Sequence, residues 1–251
     1  MMADPFFITI IVISFALAGL VKGTVGLGLP TVSLGLLSLF ADLPTALALL
    51  VMPSLVTNIW QAIAGGHFKK LVLRLWPLLV MTMIMVHVGS LLFTRINAQV
   101  LTATLGMLLL LYAMVGLIGK VPSISPAYEK ILAPVCGAVN GLLTGLTGTL
   151  FVPGVMFLQA IGLPRDALIQ AMGMLFAAST ASLGIALYQN DLMPLNLWLL
   201  SIMALVPALI GMNIGRIIRR FVPEDLFRKV FLVALGCLGC YISFGAVNQP
   251  V

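Results

Sequence analysis

Lys22 is the one charged residue that this sequence places inside an apolar stretch, and glycines surround it: Gly19, Gly23, Gly26 and Gly28, with Thr24 beside it and Pro30 following. A second stretch repeats the pattern without the charge: Gly141, Thr144, Gly145, Thr147, Gly148 and Thr149, followed by Pro153 and Gly154. A buried ammonium, hydroxyls and backbone N–H groups released where glycine and proline break a helix are suitable partners for a small anion. Helix N-termini exposed at such breaks add partial positive charge and spare donors. All seven acids (Asp4, Asp42, Glu129, Asp166, Asp191, Glu224 and Asp225) fall in loops or at the ends of apolar stretches. A carrier of cations keeps a carboxylate at membrane depth, so the residue types favour an anion. The same glycines also have a packing reading, because Gly-x-x-x-Gly lets helices approach closely, and Lys22 can extend its ammonium towards an interface. Asn58 and Gln61 on one stretch, with Gln170, Ser179, Thr180 and Ser182 on the matching one, are further candidates to line a cavity or to join helices. His87, inside another stretch, is either a proton relay or a packed, hydrogen-bonded histidine.

The elements that hold these residues follow from composition. The 251 residues are 61% hydrophobic and 8% charged, against about 25% charged in an ordinary soluble domain. Too few charges remain for a water-facing surface, so lipid is the solvent and the chain is an all-α polytopic membrane protein, residues 1–251 forming one transmembrane domain. Six stretches have the length of single spans: Thr45–Ala64, Leu75–Phe93, Val100–Ile118, Ala167–Leu187, Leu197–Ile214 and Val230–Ala246. Two longer ones, Phe6–Phe40 and Ile131–Ile161, are broken by the glycines described above. The first has no Lys or Arg before its apolar run, so it is read as part of the fold and not as a leader. The net charge of +6 comes from short basic clusters between spans, the pattern of the positive-inside rule and not of nucleic-acid binding. Cys136, Cys237 and Cys240 are read as small apolar packing residues.

The chain is also a duplication. Gly19, Gly23 and Gly26 match Gly141, Gly145 and Gly148 at an offset of 122, and Trp76 and Gly89 match Trp198 and Gly211 at the same offset. Repeats over 6–118 and 131–246 follow, separated by a polar loop containing Pro122 and Pro126. Each half is one glycine-broken element plus three transmembrane helices. The loop charges then set the orientation. Lys69, Lys70 and Arg74 lie in a first-half loop whose counterpart has only Asp191, whereas the loop around Arg95 has a counterpart with five basic residues. The bias inverts, so the halves are expected as an inverted repeat, the architecture of many secondary transporters. Each broken element then enters and leaves on one side, as a re-entrant hairpin or two short spans, and both termini lie outside the cytoplasm.

The runs Ala18-Gly19-Leu-Val-Lys-Gly-Thr-Val-Gly-Leu-Gly-Leu-Pro30 and Gly137-Ala-Val-Asn-Gly-Leu-Leu-Thr-Gly-Leu-Thr-Gly-Thr149 resemble the sulfite exporter TauE/SafE family of membrane permeases. The resemblance extends over essentially the whole chain. It implies export of sulfite, sulfoacetate or a related organosulfonate across a cell inner membrane. The expectation is a secondary transporter working by alternating access, with a small anion and the bilayer as partners and a homodimer left open. A channel-like anion pore and a membrane-embedded enzyme are the other readings. Against the enzyme, there is no Ser–His pair, no paired intramembrane carboxylates and no His-Glu-x-x-His motif. No metal or cofactor is expected, and no P-loop for direct ATP drive.

Overall fold

The computed structural model describes residues 4–26, 28–119, 123–219, 221 and 224–248. Pro122 and Arg220, and the side chains of Glu224 and Asp225, lie outside the described residues. Among the described residues the chain forms helices alone: α1 Pro5–Val25, α2 Leu29–Leu37, α3 Leu43–Ile63, α4 Phe68–Phe93, α5 Ala98–Ile118, α6 Pro126–Thr147, α7 Gly154–Ala160, α8 Arg165–Gln189, α9 Leu195–Ile218 and α10 Glu224–Asn248. Eight are long and apolar enough to cross a membrane. The exceptions are α2 and α7, each the second part of a broken element. The break is therefore not central: α1, at 21 residues, is about 31 Å long, enough to span by itself, whereas α2, at nine, reaches about 13 Å.

The helices group into two compact units, Met1–Pro53 with Asn97–Ile118 and Asp191–Val251, and Ser54–Ile96 with Gly119–Asn190. In the first unit α1 packs on α9 and α5 on α10; in the second α4 packs on α6 and on α8. At the 122-residue offset of the matching glycines, α1 stands in sequence where α6 does and α4 where α9 does.

Glycine makes those pairs possible. A Cβ on Gly19 or Gly23 would collide with the carbonyl oxygen of Ala208 or Met212 on α9, and one on Gly211 or Gly215 with that of Ala16 or Leu20 on α1. In the second unit Gly141 and Gly145 press in the same way on the carbonyls of Thr82 and Val86, and Gly89 on that of Leu142. With no hydrophobic drive between helices in lipid, close backbone approach of this kind is a main source of association. The packing reading therefore describes Gly19, Gly23, Gly141 and Gly145, while the breaks belong to other glycines.

Both broken elements return to the end they start from. In the second unit the Ile124 N–H, just before α6, donates to the Ala160 carbonyl at the end of α7 at 2.8 Å. Arg74 on α4 clamps the same end, with bonds of 2.6 and 2.7 Å to the Glu129 carboxylate and 3.3 Å to the Ile161 carbonyl. In the first unit Phe7 on α1 and the Ser38–Thr45 segment after α2 share one cavity of about 780 Å3. α3 carries Pro53 in its interior, which removes the N–H that the Leu49 carbonyl would have accepted. Ser201 on α9 repairs the gap: its hydroxyl donates to the Leu49 carbonyl at 2.9 Å and accepts the Met52 N–H at 3.0 Å. Cys136 is half-buried, and Cys237 and Cys240 are exposed on α10.

Candidate functional site

The break in the second unit starts at Gly148, the C-cap of α6, whose φ of 73° is one that residues with a side chain adopt only under strain. From there residues 148–153 run without helix to α7. Three threonines shape the turn. The Thr144 hydroxyl donates to the Asn140 and Thr149 carbonyls, both at 2.8 Å. The Thr147 hydroxyl donates to the Leu143 carbonyl at 2.8 Å and lies 2.8 Å from the Thr149 hydroxyl. Thr144, Thr147, Gly148 and Thr149 are thus brought together, with their hydroxyls turned onto the chain itself.

Asn140 stands one helical turn before Thr144 and on the same face of α6. Its Oδ1 accepts the Gly154 N–H at 3.1 Å. Its Nδ2 is fully buried and has no partner among the described residues. Gly154 is small by necessity, because a Cβ there would lie 2.7 Å from Asn140 Oδ1 and 2.6 Å from Leu175 on α8. Phe151 and Phe176 meet edge to face at 5.1 Å, fixing the break against α8. One and two turns beyond Leu175 on that face stand Ser179 and Ser182, and Thr180 adjoins them; all three hydroxyls are buried without partners among the described residues. The N–H groups of Leu150 and Val152, also buried, make no hydrogen bond among the described residues. Buried polar groups are normally satisfied; the donors left over here lie on α6, on the break that follows it and along α8.

The break in the first unit is shorter. Gly26 caps α1 at φ 86°, its N–H bonded to the Lys22 carbonyl, and Gly28 opens α2 at φ 108° without a side chain to cap it. Lys22 lies in the last turn of α1 and is 5% exposed. Thr24 bonds back to the Leu20 and Val21 carbonyls at 3.0 and 2.9 Å. Thr31, in the first turn of α2, is buried with its hydroxyl unpartnered among the described residues. Lys22, Gly26, Gly28 and Thr31 thus surround this break, while Gly23 faces α9.

The remaining candidates are engaged elsewhere in the second unit. Gln61 Nε2 donates to the Ile169 carbonyl at 2.8 Å, and Gln170 Nε2 to the Ala62 carbonyl at 2.7 Å. Gln170 Oε1 also accepts the His67 N–H at 2.9 Å. The two amides bind the end of α3 to the start of α8. Asn58 is fully buried one turn before Ala62. His87 lies with Ser90, Gln189 and Asn190 around a small cavity of about 250 Å3 at the ends of α4 and α8, where Asn190 donates to the Ser90 hydroxyl at 3.0 Å. Asn140 is the residue that sequence reasoning passed over. Its signal was an amide one turn ahead of Thr144 in an otherwise small and apolar helix face.

The family profile described as "Sulfite exporter TauE/SafE" matches residues 11–242. Neither a search of curated proteins nor one of solved structures finds a match.

Proposed function

Since the chain belongs to the sulfite exporter TauE/SafE family, we propose that it is a secondary transporter of a small oxyanion, sulfite or an organosulfonate such as sulfoacetate, exporting it across a cell inner membrane by alternating access. The observation that carries this reading is the set of buried, unpartnered donors in the second unit: Asn140 Nδ2 and the Leu150 and Val152 N–H groups at the break, and the Ser179, Thr180 and Ser182 hydroxyls along α8. Every member of this set can donate, and no acid lies in the interior of α6 or α8. Such a surface suits three or four oxygens around one sulfur and offers a metal cation nothing anionic. In the first unit Lys22, buried at that unit's own break, is a separate cationic candidate. Thr144, Thr147, Gly148 and Thr149 hold the turn open, and Gln61 and Gln170 keep the helix ends in register.

Reconstituted vesicles loaded with unlabelled sulfite test the proposal. A carrier drives uphill accumulation of labelled sulfite by counterflow, with saturation. Linear, non-saturating flux without counterflow would instead indicate a pore, and no flux of sulfite or sulfoacetate in folded protein would remove the substrate assignment.

A further inference from the structure

His87 lies in the second unit near the end of α4 and is half-buried. Ser90 and Leu91, three and four positions on, share its face of the helix. With Gln189 and Asn190 at the end of α8 they line a cavity of about 250 Å3, room for about eight waters at roughly 30 Å3 each. Gly89 turns the other way, onto α6. The His87 side chain makes no hydrogen bond to any described residue. A histidine packed for structure has its ring nitrogens satisfied; here both are unspent.

The neighbouring polar groups are preset as donors. Asn190 Nδ2 gives its two protons to the Ser90 hydroxyl at 3.0 Å and the Ala186 carbonyl at 2.7 Å. Ser90, 6% exposed, therefore accepts, and its own proton goes to no described residue. The Gln189 amide also has no partner among the described residues. None of the five lining residues is an acid. The charged and titratable groups of the packed helices stand elsewhere. On α4, Arg74, with Lys69 and Lys70 before it, is about 20 Å from His87 along the axis. On α6, Tyr128, Glu129 and Lys130 lie at the level of Arg74, and Cys136 adjoins Gly137, which meets Leu78. On α8, Arg165 and Asp166 open the helix, and Tyr188, exposed, precedes Gln189. Beyond the helix ends Arg95 follows α4 and Asp191 follows Asn190, both exposed.

We infer that this cavity is a second site for a small oxyanion, filled when His87 is protonated. The imidazolium, the Ser90 hydroxyl and the Gln189 amide donate to the anion, the first with charge assistance. Histidine ordinarily changes charge between about pH 5 and 8, so the site fills as the pH falls through that range. It lies beside the end of α6: the Ser90 backbone nitrogen is 2.7 Å from where a Cβ on Gly145 would stand, in the last turn before Gly148 and the break. The cavity is thus a staging site for the transported anion. That role rests on the carrier reading above; the binding itself does not.

The titration of His87, followed by imidazole nitrogen resonances in protein labelled at histidine, tests this, with His67→Gln assigning the two signals. Sulfate is the probe, because it takes up no proton between about pH 5 and 8. An anion that binds the protonated form alone raises the midpoint, by about one unit at ten times its dissociation constant. That rise is expected with sulfate and not with chloride at equal ionic strength. Gln189→Glu, at an exposed position, sets a carboxylate at the cavity and should cancel the effect of sulfate. A midpoint that sulfate leaves unmoved, an equal rise with chloride, or an undiminished sulfate effect in folded Gln189→Glu protein would overturn the inference. Sulfite counterflow in the same protein reports on the carrier separately, so failure of that reading and failure of this site register as different results.

Discussion

At the scale of single residues, buried polar groups divide into those that hold the structure and those left without a partner. Ser179 is of the second kind. Its hydroxyl is buried without a partner, so Ser179→Ala removes an unpaired polar group and should leave the melting temperature unchanged or slightly raised. Anion affinity, by contrast, should fall by about tenfold, the worth of one hydrogen bond to a charged group. Titration of sulfite against the melting temperature reads both quantities. Asn140→Asp keeps the oxygen that accepts the Gly154 N–H but replaces the spare donor with negative charge. It should abolish anion binding, whereas Lys22→Ala should weaken it without unfolding the protein. Unchanged affinity in a folded Lys22→Ala protein would remove the lysine from the site. Ser201 is of the first kind. Ser201→Ala strands the Leu49 carbonyl and the Met52 N–H beside Pro53 and should cost about 1–3 kcal/mol of stability, with affinity unaltered.

At the scale of elements, the glycines divide by spacing and backbone angle. Gly19 and Gly23, four residues apart, lie on one face of α1 and let α9 approach; Gly26 and Gly28 adopt positive φ and end one helix and open the next. Leucine at Gly19 or Gly141 should therefore prevent folding of its unit, measured as loss of a monodisperse species in detergent. Alanine at Gly26 meets no atom within 4 Å and bears only the strain of its backbone angle, a milder defect. Apolar length made the spans readable from the sequence, to within a few residues at most ends. The two roles of glycine were not readable, because one residue type serves both and only the partner helix tells them apart. Gln61 and Gln170 were legible as polar residues inside spans. Their targets, backbone carbonyls 108 positions away, have no side-chain signature in a single sequence.

At the scale of the whole molecule, α1 packs on α9 in one unit and α6 on α4 in the other, helices that the glycine offset relates in sequence. The two ends of each broken element lie near each other, through the Ile124–Ala160 bond in one case and the cavity shared by Phe7 and Ser38–Thr45 in the other. The inversion of the halves rests on the loop charges. Single cysteines at Lys70 and at Arg219, challenged with an impermeant thiol reagent in a background lacking the native cysteines, should both be labelled from the cytoplasm alone. Labelling from opposite sides would contradict the inversion. The donor set at the second break was hidden for a different reason: whether Asn140 or Ser179 is satisfied depends on atoms that only the folded chain brings near. The central claim is that this set recognises an oxyanion. Purified protein melted in the presence of sulfite, sulfoacetate, taurine, sulfate, acetate or chloride tests it most directly, since a ligand that binds the folded state raises its melting temperature. A rise with sulfite or sulfoacetate that is absent with acetate and chloride, and lost in Asn140→Asp, is the predicted result; no rise with any oxyanion in folded protein would contradict it.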